Sequence, residues 1–241
     1  MPFKNFFMIA IIGRGNVATH LYEALKDKTP VCMVNPHTLE DMPENPDIIL
    51  ISVKDDAISD IVSKIPESNA VIAHTAGSIP IDTLVRFKNH GVFYPLQTFT
   101  KHTSLDYSEI PVFIESSNPF SAKKLMELAS LFSNKVFEAD SDTRKSLHIA
   151  AVFACNFSNA MAVVAEDILK EKGLDFDVML PLLSQTINKL KHTSPRLAQT
   201  GPASRGDQKV MNSHLEMLKD NPRLAEIYKN ISDLISQQQN L

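Results

Sequence analysis

The feature that most restricts the fold of this chain is a glycine pair near its start, in the run Gly13-Arg14-Gly15-Asn16-Val17-Ala18. An apolar stretch, residues 6–12, comes before it, and the helical spacing of Leu21, Ala24 and Leu25 comes after it. A strand, a glycine turn and a helix in this order begin the α/β folds that bind dinucleotides. The first glycine makes the turn, the second admits phosphate to the backbone, and the small alanine allows close packing. A tight turn that binds nothing is the alternative.

Composition strengthens the argument from the turn, because the chain uses glycine sparingly. It has 7 glycines in 241 residues, where average usage would give roughly 17.

The formal net charge is −4, and the absence of a Lys/Arg-rich run argues against a nucleic-acid partner. Cys32 and Cys155 are the only cysteines, which excludes a disulfide framework and favours a reducing compartment. We expect a cytoplasmic protein, with no apolar run approaching a membrane span.

The order of apolar and amphipathic segments predicts two domains. Short apolar runs alternate with helical patterns as far as residue 140, which is typical of a parallel sheet covered on both faces. From residue 141 onward, only helical periodicity is found. The predicted strands are Phe6–Ile12, Val31–Val34, Ile48–Val53, Val71–His74, Val92–Tyr94, Val112–Glu115 and Lys135–Glu138. The predicted helices are Val17–Lys26, Ala57–Ile65, Ile81–Asn89, Pro119–Ser133, Asp142–Lys172, Phe176–Leu190, Met211–Lys219 and Arg223–Gln237. The predicted fold is a Rossmann-like, doubly wound, mostly parallel sheet (1–140) followed by a smaller all-α domain (141–241).

The end of the second predicted strand distinguishes between the two nicotinamide cofactors. NAD sites place an acid about 20 residues after the glycines, where it binds the ribose 2′-hydroxyl. Here no acid follows Val34 before Glu40, and Arg14 in the glycine turn could pair with a 2′-phosphate instead. NADP is therefore predicted, with NAD less favoured, although a solvent-exposed Arg14 is the alternative. The cofactor contacts predicted from the turn and this strand end are Gly13, Arg14, Gly15, Asn16, Val17, Asn35 and His37.

Two more strand ends lie at the same edge of the predicted sheet, where open α/β sheets bind their ligands. Ser52, Val53, Lys54 and Asp55 follow the third strand, and His74 and Thr75 end the fourth. All six are predicted cofactor contacts. Two simpler interpretations stay open: Asp55 or Asp56 caps the helix that follows, and His74 is a hydrogen-bonded structural residue.

A polar stripe runs along the first helix of the predicted all-α domain. At about 100° per residue, His148, Cys155 and Asn159 lie within ~20° of one line, and Asn156 lies ~80° from His148. The surrounding positions are mostly apolar or small. Such polar groups must either be hydrogen-bonded between helices or face a ligand. Cys155 has no neighbouring metal-ligand spacing, so no metal site is predicted.

Five further segments, taken with the glycine turn, give the chain a family resemblance. It resembles a set of NADP oxidoreductases, without a firmly assigned reaction, that join a Rossmann-like domain to a C-terminal helical domain of unknown function. These are distantly similar to pyrroline-5-carboxylate reductase, ketopantoate reductase and the 6-phosphogluconate/3-hydroxyacid dehydrogenases. The resemblance covers nearly the whole chain in order, through Ile51–Ile58, His74–Gly77, Tyr94–Phe99, His148-x-x-Ala151-x-Phe153-x-x-Asn156 and Thr200–Asp207.

The resemblance implies a catalytic arrangement. In the related dehydrogenases the corresponding helix brings a Lys and an Asn to the substrate. Here no Lys lies on the stripe, since Lys145 is one turn earlier, so His148 is the expected substitute and Asn156 the expected partner. The resembling proteins often carry His where Tyr94 stands, so the resemblance does not favour Tyr94 as the acid. If His148 points into the helical core instead, Tyr94 or Lys145 is the next candidate.

Arg205 is predicted to complete the catalytic set, because an arginine between Gly201 and Gly206 could clamp a substrate carboxylate. Asp207 beside it could simply cap the next helix. The long helix is also apolar around much of its surface, through Phe153, Phe157, Met161 and Val164, so a homodimer through the helical domain is expected.

The sequence therefore predicts an NADP-dependent oxidoreductase that transfers a hydride between nicotinamide and a C=O or C=N bond of a small acid. One alternative is a dinucleotide-binding sensor or scaffold without turnover, which the missing Lys favours. Another is an enzyme that binds a mononucleotide or phosphosugar in the same turn.

Overall fold

A computed structural model describes residues 7–239 of the chain, without the side chain of Gln239. Seven strands form one sheet, in the spatial order β2-β1-β3-β4-β5-β6-β7. Neighbouring strands are parallel throughout except for the antiparallel pair β5–β6. The strands are β1 (Ile9–Ile12), β2 (Val31–Val34), β3 (Ile48–Ile51), β4 (Val71–His74), β5 (His90–Pro95), β6 (Val112–Ser116) and β7 (Val136–Glu138).

The register brings the ends of the central strands to one edge of the sheet. Ile12, the last residue of β1, lies beside Val34 of β2 and Ile51 of β3, and Ile51 lies beside His74 of β4. The loops that leave these strands therefore begin side by side. This edge is where an open parallel sheet can bind a ligand.

Alternate residues of the strands fill two hydrophobic cores, one on each face of the sheet. Ile9 and Ile11 pack with helix residues such as Leu21 and Leu128 on one face. Ala10 and Ile12 pack with residues such as Ile58 on the other. Strands that are buried on both faces have apolar residues at consecutive positions, and this pattern is visible in the sequence.

Nine α-helices accompany the sheet in the described part of the chain, and the bounds of most lie within a few residues of those predicted. They are α1 (Asn16–Leu25), α2 (Ile58–Lys64), α3 (Pro119–Ser130), α4 (Ser141–Ala151), α5 (Ser158–Lys170), α6 (Leu180–Leu190), α7 (Pro195–Ala198), α8 (Gln208–Met217) and α9 (Pro222–Gln239). The start of the first predicted strand, Phe6, lies outside the described residues. Ile9–Ile12 of the predicted strand form β1, and Phe7 and Met8 precede it without strand structure.

The helix predicted over Ile81–Asn89 is wrong: only a 3₁₀ turn, Ile81–Leu84, forms there. Its two buried side chains, Leu84 and Phe87, are three residues apart, and the Phe87 N–H donates to the Leu84 carbonyl. A spacing of three suits the tighter 3₁₀ turn as well as it suits one face of an α-helix. The chain then enters β5 at His90.

A π-helical segment, Val152–Phe157, joins α4 to α5. The continuous helix Ser141–Lys170 was predicted nearly in full, but its wide middle turn was not. The chain forms two compact units, one up to Met161 and one from Ala162 onward. The change from strands to helices comes earlier, between Glu138 and Ser141, close to the predicted boundary.

A buried ion pair ties α4 to the sheet. The Arg144 side chain is 1% exposed and pairs with the Glu115 carboxylate on β6. Its guanidinium also donates to the Ile79 carbonyl, in the loop after β4. The same carboxylate accepts from the Ser141 backbone N–H and hydroxyl, at 3.0 and 2.8 Å. One acid thereby holds both the start of α4 and its arginine against β6.

We expect Glu115→Ala to lower the free energy of unfolding by about 3–5 kcal/mol, because it leaves the buried guanidinium without its counter-charge. Glu109→Ala is the matched control: it removes the acid of an exposed pair with Lys135 and should cost less than about 1 kcal/mol. Urea denaturation of both variants measures the difference. Equal losses in the two variants would contradict the role given to the buried pair.

Candidate functional site

The candidate site begins at the turn between β1 and α1. Gly13 has a φ of +135°, which L side chains rarely adopt, and a Cβ there would collide with the Ser52 carbonyl. Its N–H donates to the Val34 carbonyl at 3.1 Å. The chain can therefore turn tightly between β2 and β3 only with glycine at this position.

The start of α1 offers free N–H groups to open space. Thr19 is the first residue of the helix whose N–H bonds back, to the Gly15 carbonyl at 3.0 Å. The N–H groups of residues 16–18 thus have no carbonyl partner within the helix. No acidic residue lies in the first turn, and a Cβ built on Gly15 meets nothing within 4 Å. Backbone donors, the helix dipole and this vacant space together suit an anion such as phosphate.

A cleft of about 830 Å³ opens over this helix end and extends along the edge of the sheet. It brings together eleven of the thirteen predicted cofactor contacts. These are Gly13, Arg14, Gly15, Asn16, Val17, His37, Ser52, Val53, Lys54, Asp55 and Thr75. Asp55 does not cap the helix that follows, since its carboxylate accepts from the Ser78 hydroxyl.

The other two predicted contacts, Asn35 and His74, do not line the cleft. The Asn35 side chain accepts from the His37 N–H at 3.0 Å and shapes the turn that presents His37. His74 is fully buried, with Nδ1 accepting from the Ala76 N–H at 3.3 Å and Nε2 3.4 Å from the Pro80 carbonyl. The structure thus places His74 behind the wall of the cleft, as a hydrogen-bonded core residue.

Burial, followed by the positive charge of Arg144, lowers the pKa of His74 from 6.5 to about 4. In the unfolded chain this histidine takes up its proton near pH 6.5, well before it can do so in the folded protein. Its contribution to stability is therefore complete above pH 6.5 and is lost as the pH falls towards 4.

We expect the free energy of unfolding to fall by about 2 kcal/mol from this source between pH 7 and pH 5. His74→Gln, which keeps a donor for the Pro80 carbonyl, should remove that component and flatten the pH dependence. Denaturant titrations of both proteins at several pH values in this range measure the slopes. Parallel slopes would show that His74 is not buried in its neutral form.

At its far end the cleft is bordered by a tyrosine–histidine pair. Tyr94, near the end of β5, is 8% exposed, and its hydroxyl lies 3.1 Å from His148 Nδ1. The rings meet edge to face, with centroids 6.2 Å apart. The sequence predicts His148 as the acid and keeps Tyr94 only as a second candidate. The available signal was the position of Tyr94 at the same sheet edge as the other strand ends.

Gly77 makes room for this pair. A Cβ at Gly77 would lie 2.7 Å from His148 Nδ1 and 2.9 Å from Tyr94 Cζ, closer than real contacts allow. The glycine in His74-Thr75-Ala76-Gly77 thus permits α4 and β5 to bring their two polar side chains together over the loop after β4.

A second cleft of about 670 Å³ adjoins the first. The two share four lining residues: Tyr94, Gln97, Phe99 and His148. The rest of the second cleft is mostly apolar or small, with Asn156 and Thr98 as further polar groups. Its remaining lining residues are Leu96, Thr98, Leu147, Ala150, Ala151, Val152, Ala154, Cys155 and Asn156.

The π-helical segment explains how Asn156 comes to the same cleft as His148. Regular α-helical geometry puts them about 80° apart. The i→i+5 turn over Val152–Phe157 contains more residues per turn, so each residue advances by a smaller angle. Asn156 is thereby rotated back towards the face of His148, and both line the second cleft. A π-turn inside an α-helix often marks a functional site.

Arg205, the third predicted catalytic residue, belongs to the second compact unit. It is exposed, in the turn that leads into α8. Its neighbour Asp207 caps that helix, with a carboxylate oxygen accepting from the Val210 N–H at 3.2 Å. The capping interpretation of Asp207 is therefore confirmed.

A Rossmann-like sheet with a phosphate-type turn, followed by helices, defines a class of nucleotide-binding proteins. The chain belongs to the family described as Domain of unknown function (DUF2520), whose model matches residues 110–235. It is 39% identical to a Bacteroides fragilis protein provisionally named an NADP oxidoreductase. The crystal structure of that protein superposes with a TM-score of 0.88, over 96% of this chain and 98% of that one. The predicted resemblance and fold class are confirmed.

Two enzymes share the fold at lower identity. The 1-pyrroline-5-carboxylate reductase of Streptococcus pyogenes is 15% identical, with a TM-score of 0.64 over 99% of this chain and 100% of that one. A reductive aminase from Aspergillus terreus, in complex with NADPH and ethyl levulinate, is 12% identical, with a TM-score of 0.71 over 97% and 93%. A search of the curated proteins found no match.

By length and hydropathy alone, the described residues include one helix capable of crossing a membrane, Ser141–Lys170. The sequence predicts no such segment, because polar residues interrupt the apolar runs of this helix. A single helix of this kind is weak evidence for a membrane span.

Proposed function

We propose that this chain is an NADP-dependent oxidoreductase that transfers a hydride between nicotinamide and a C=O or C=N bond of a small acid. The observation that carries the proposal is a single cleft bordered by both a free helix N-terminus and the Tyr94–His148 pair. One end suits phosphate, and the other offers groups that can exchange a proton. The fold shared with an NADPH-bound reductive aminase and a pyrroline-5-carboxylate reductase supports it.

The residues around the helix end fit a phosphorylated dinucleotide. The free N–H groups of residues 16–18 and the open space at Gly15 would hold the pyrophosphate. Arg14 and His37 line the same cleft, and no carboxylate follows directly after β2 to repel a 2′-phosphate. When bound, the nicotinamide ring supplies or accepts the hydride.

We expect NADPH to bind more tightly than NADH, and Arg14→Ala to reduce the difference by about 1.5–3 kcal/mol, the range for a charge-assisted hydrogen bond. Calorimetric titration with both nucleotides measures it. Arg223→Ala, at an exposed arginine of α9, should leave the preference unchanged. Equal affinities of the unmodified protein for NADPH and NADH would refute the argument from the missing acid.

The second cleft is proposed to hold the substrate, because it meets the cofactor cleft at Tyr94, Gln97, Phe99 and His148. His148 supplies or removes the proton that accompanies hydride transfer, and Asn156 orients the reacting group. The role of Arg205 as an anchor for a substrate carboxylate stays a prediction from the sequence. The helical domain, residues 141–241, would thus serve the substrate and the assembly of the protein.

The proposed function is tested by NADPH consumption with a panel of keto acids and cyclic imines. We expect turnover, and we expect His148→Gln to reduce it by about 10²–10⁴-fold, the usual contribution of a general acid–base group. NADPH affinity and melting temperature should be unchanged in the variant. His102→Gln, at an exposed loop histidine, is the matched control. NADPH binding without turnover of any substrate would favour a sensor or scaffold instead.

The helical half is proposed to form a C2 homodimer. Every residue of α6 is exposed, and its apolar side chains include Leu182 at 64% and Ile187 at 60%. Phe153 and Phe157 on the long helix are also exposed, at 61% and 48%. Apolar surface of this extent is typical of a face covered by another molecule, and a second copy is the commonest partner.

We expect sedimentation at micromolar concentration to show a dimer, and Leu182→Asp to shift it to monomer, because a charge would be buried in the interface. Val85→Asp is the control, since Val85 is 72% exposed on the sheet domain. It should leave the dimer intact. A monomeric parent protein would contradict the assembly. Both cysteines are unpaired, which agrees with the proposed cytoplasmic location.

A further inference from the structure

We propose that Tyr94 is a second catalytic residue. Its hydroxyl donates the proton to the substrate, and His148 donates a new proton to the Tyr94 oxygen. The inference rests on the proposed function and deepens it, since it assigns the path that the His148 proton takes. The observation that supports the inference is the orientation of the His148 ring. Its Nδ1 edge lies against Gly77 and the Tyr94 hydroxyl.

Tyr94 is well placed to meet a substrate. It lines both clefts, so its side chain stands where a molecule in one would meet a molecule in the other. The strand around it is fixed, because Tyr94 is paired with Phe113 of β6 and its backbone belongs to the sheet. A proton donor on a rigid strand keeps its position through the reaction.

Tyr94 alone would be a poor proton donor. Burial raises the pKa of the phenol. The Arg144 charge opposes this increase, and the Asp55 carboxylate adds to it, so the pKa stays raised overall. A free phenolate at this position would therefore be costly. The 3.1 Å contact with His148 Nδ1 removes this difficulty, because a protonated imidazole can supply a new proton as the first one leaves.

His148 is suited to the second position in the path. It is only partly buried, and among the described residues its Nε2 has no hydrogen-bond partner, so this nitrogen can exchange protons with water. Its Nδ1 is engaged with Tyr94. The two ring nitrogens thus face in different directions, one towards a proton source and one towards the donor.

The step balances in the direction of reduction. The substrate carbon accepts the hydride with its two electrons, and the π bond to oxygen or nitrogen breaks. The heteroatom takes the Tyr94 O–H proton, and the Tyr94 oxygen takes the Nδ1 proton of protonated His148. His148 becomes neutral with its proton on Nε2. After the product leaves, its Nδ1 takes up a new proton from solvent through the Tyr94 hydroxyl. Oxidation runs the same transfers in reverse.

The test compares Tyr94→Phe, His148→Gln and the double variant in single-turnover reduction of the best substrate of the panel by bound NADPH. Tyr94→Phe keeps the ring and removes the hydroxyl. We expect each single variant to lose about 10²–10⁴-fold in rate. The double variant should lose no more than the slower single variant, because both side chains act in one path. The NADPH dissociation constant and melting temperature should stay close to those of the parent.

Tyr228→Phe is the matched control, because Tyr228 makes the same contact with a histidine, 2.9 Å from His214 Nδ1, and lines neither cleft. It should keep the parent rate. A Tyr94→Phe rate within threefold of the parent, with His148→Gln impaired, would show that His148 acts directly and would overturn the relay. Losses that multiply in the double variant would overturn it as well.

A measurement on the unmodified protein provides an independent check. In mixtures of H₂O and D₂O, two protons moving in one step give a curved dependence of the single-turnover rate on deuterium fraction. We expect this curvature, and a straight line would refute the relay. If the parent binds NADPH but turns over no substrate, the proposed function fails and the relay fails with it.

Discussion

The geometry of the candidate site depends on one buried arginine. Arg144 pairs with Glu115 on β6 and donates to the carbonyl of Ile79 in the loop after β4. The loop carries Gly77, and β6 pairs with the strand that carries Tyr94. His148 follows Arg144 by one helical turn. A single guanidinium thus joins α4 to β6 and to the loop after β4, around the contact between Tyr94 and His148.

The same charge acts at a distance on the neighbouring titratable groups. It adds to burial in lowering the pKa of His74, and it opposes burial at Tyr94. A buried ion pair is seldom a strong source of net stability, because both partners lose their hydration. Here its position suggests another benefit: it fixes the spacing of polar side chains that apolar packing alone would leave less defined.

The sequence predicted the parts of the fold that depend on local pattern. Gly13 and Gly15 indicated the turn, and the apolar runs of β1, β3 and β4 indicated buried strands, because both signals arise within a few residues. The 3₁₀ turn at Ile81–Leu84 was mistaken for a helix, since Leu84 and Phe87 fit either spacing.

The candidate site was less predictable, because it depends on contacts between distant segments. Tyr94 and His148 are 54 residues apart, and nothing in either segment indicates that they meet. His74 has the residue type and position of a ligand-binding residue, but packing buries it behind the residues that line the first cleft. The angle between His148 and Asn156 was miscalculated because a π-turn leaves no clear mark in the sequence.

That π-turn also divides the long helix into two parts with different packing requirements. Residues before Val152 are held in register by the sheet, through Arg144. Residues after Phe157, such as Met161, carry apolar side chains that need a cover of their own. In a regular helix, the direction of every side chain would follow from the first turn. The wide turn shifts the direction of the side chains that follow it, so the face that needs a cover differs from the face that His148 presents to Tyr94.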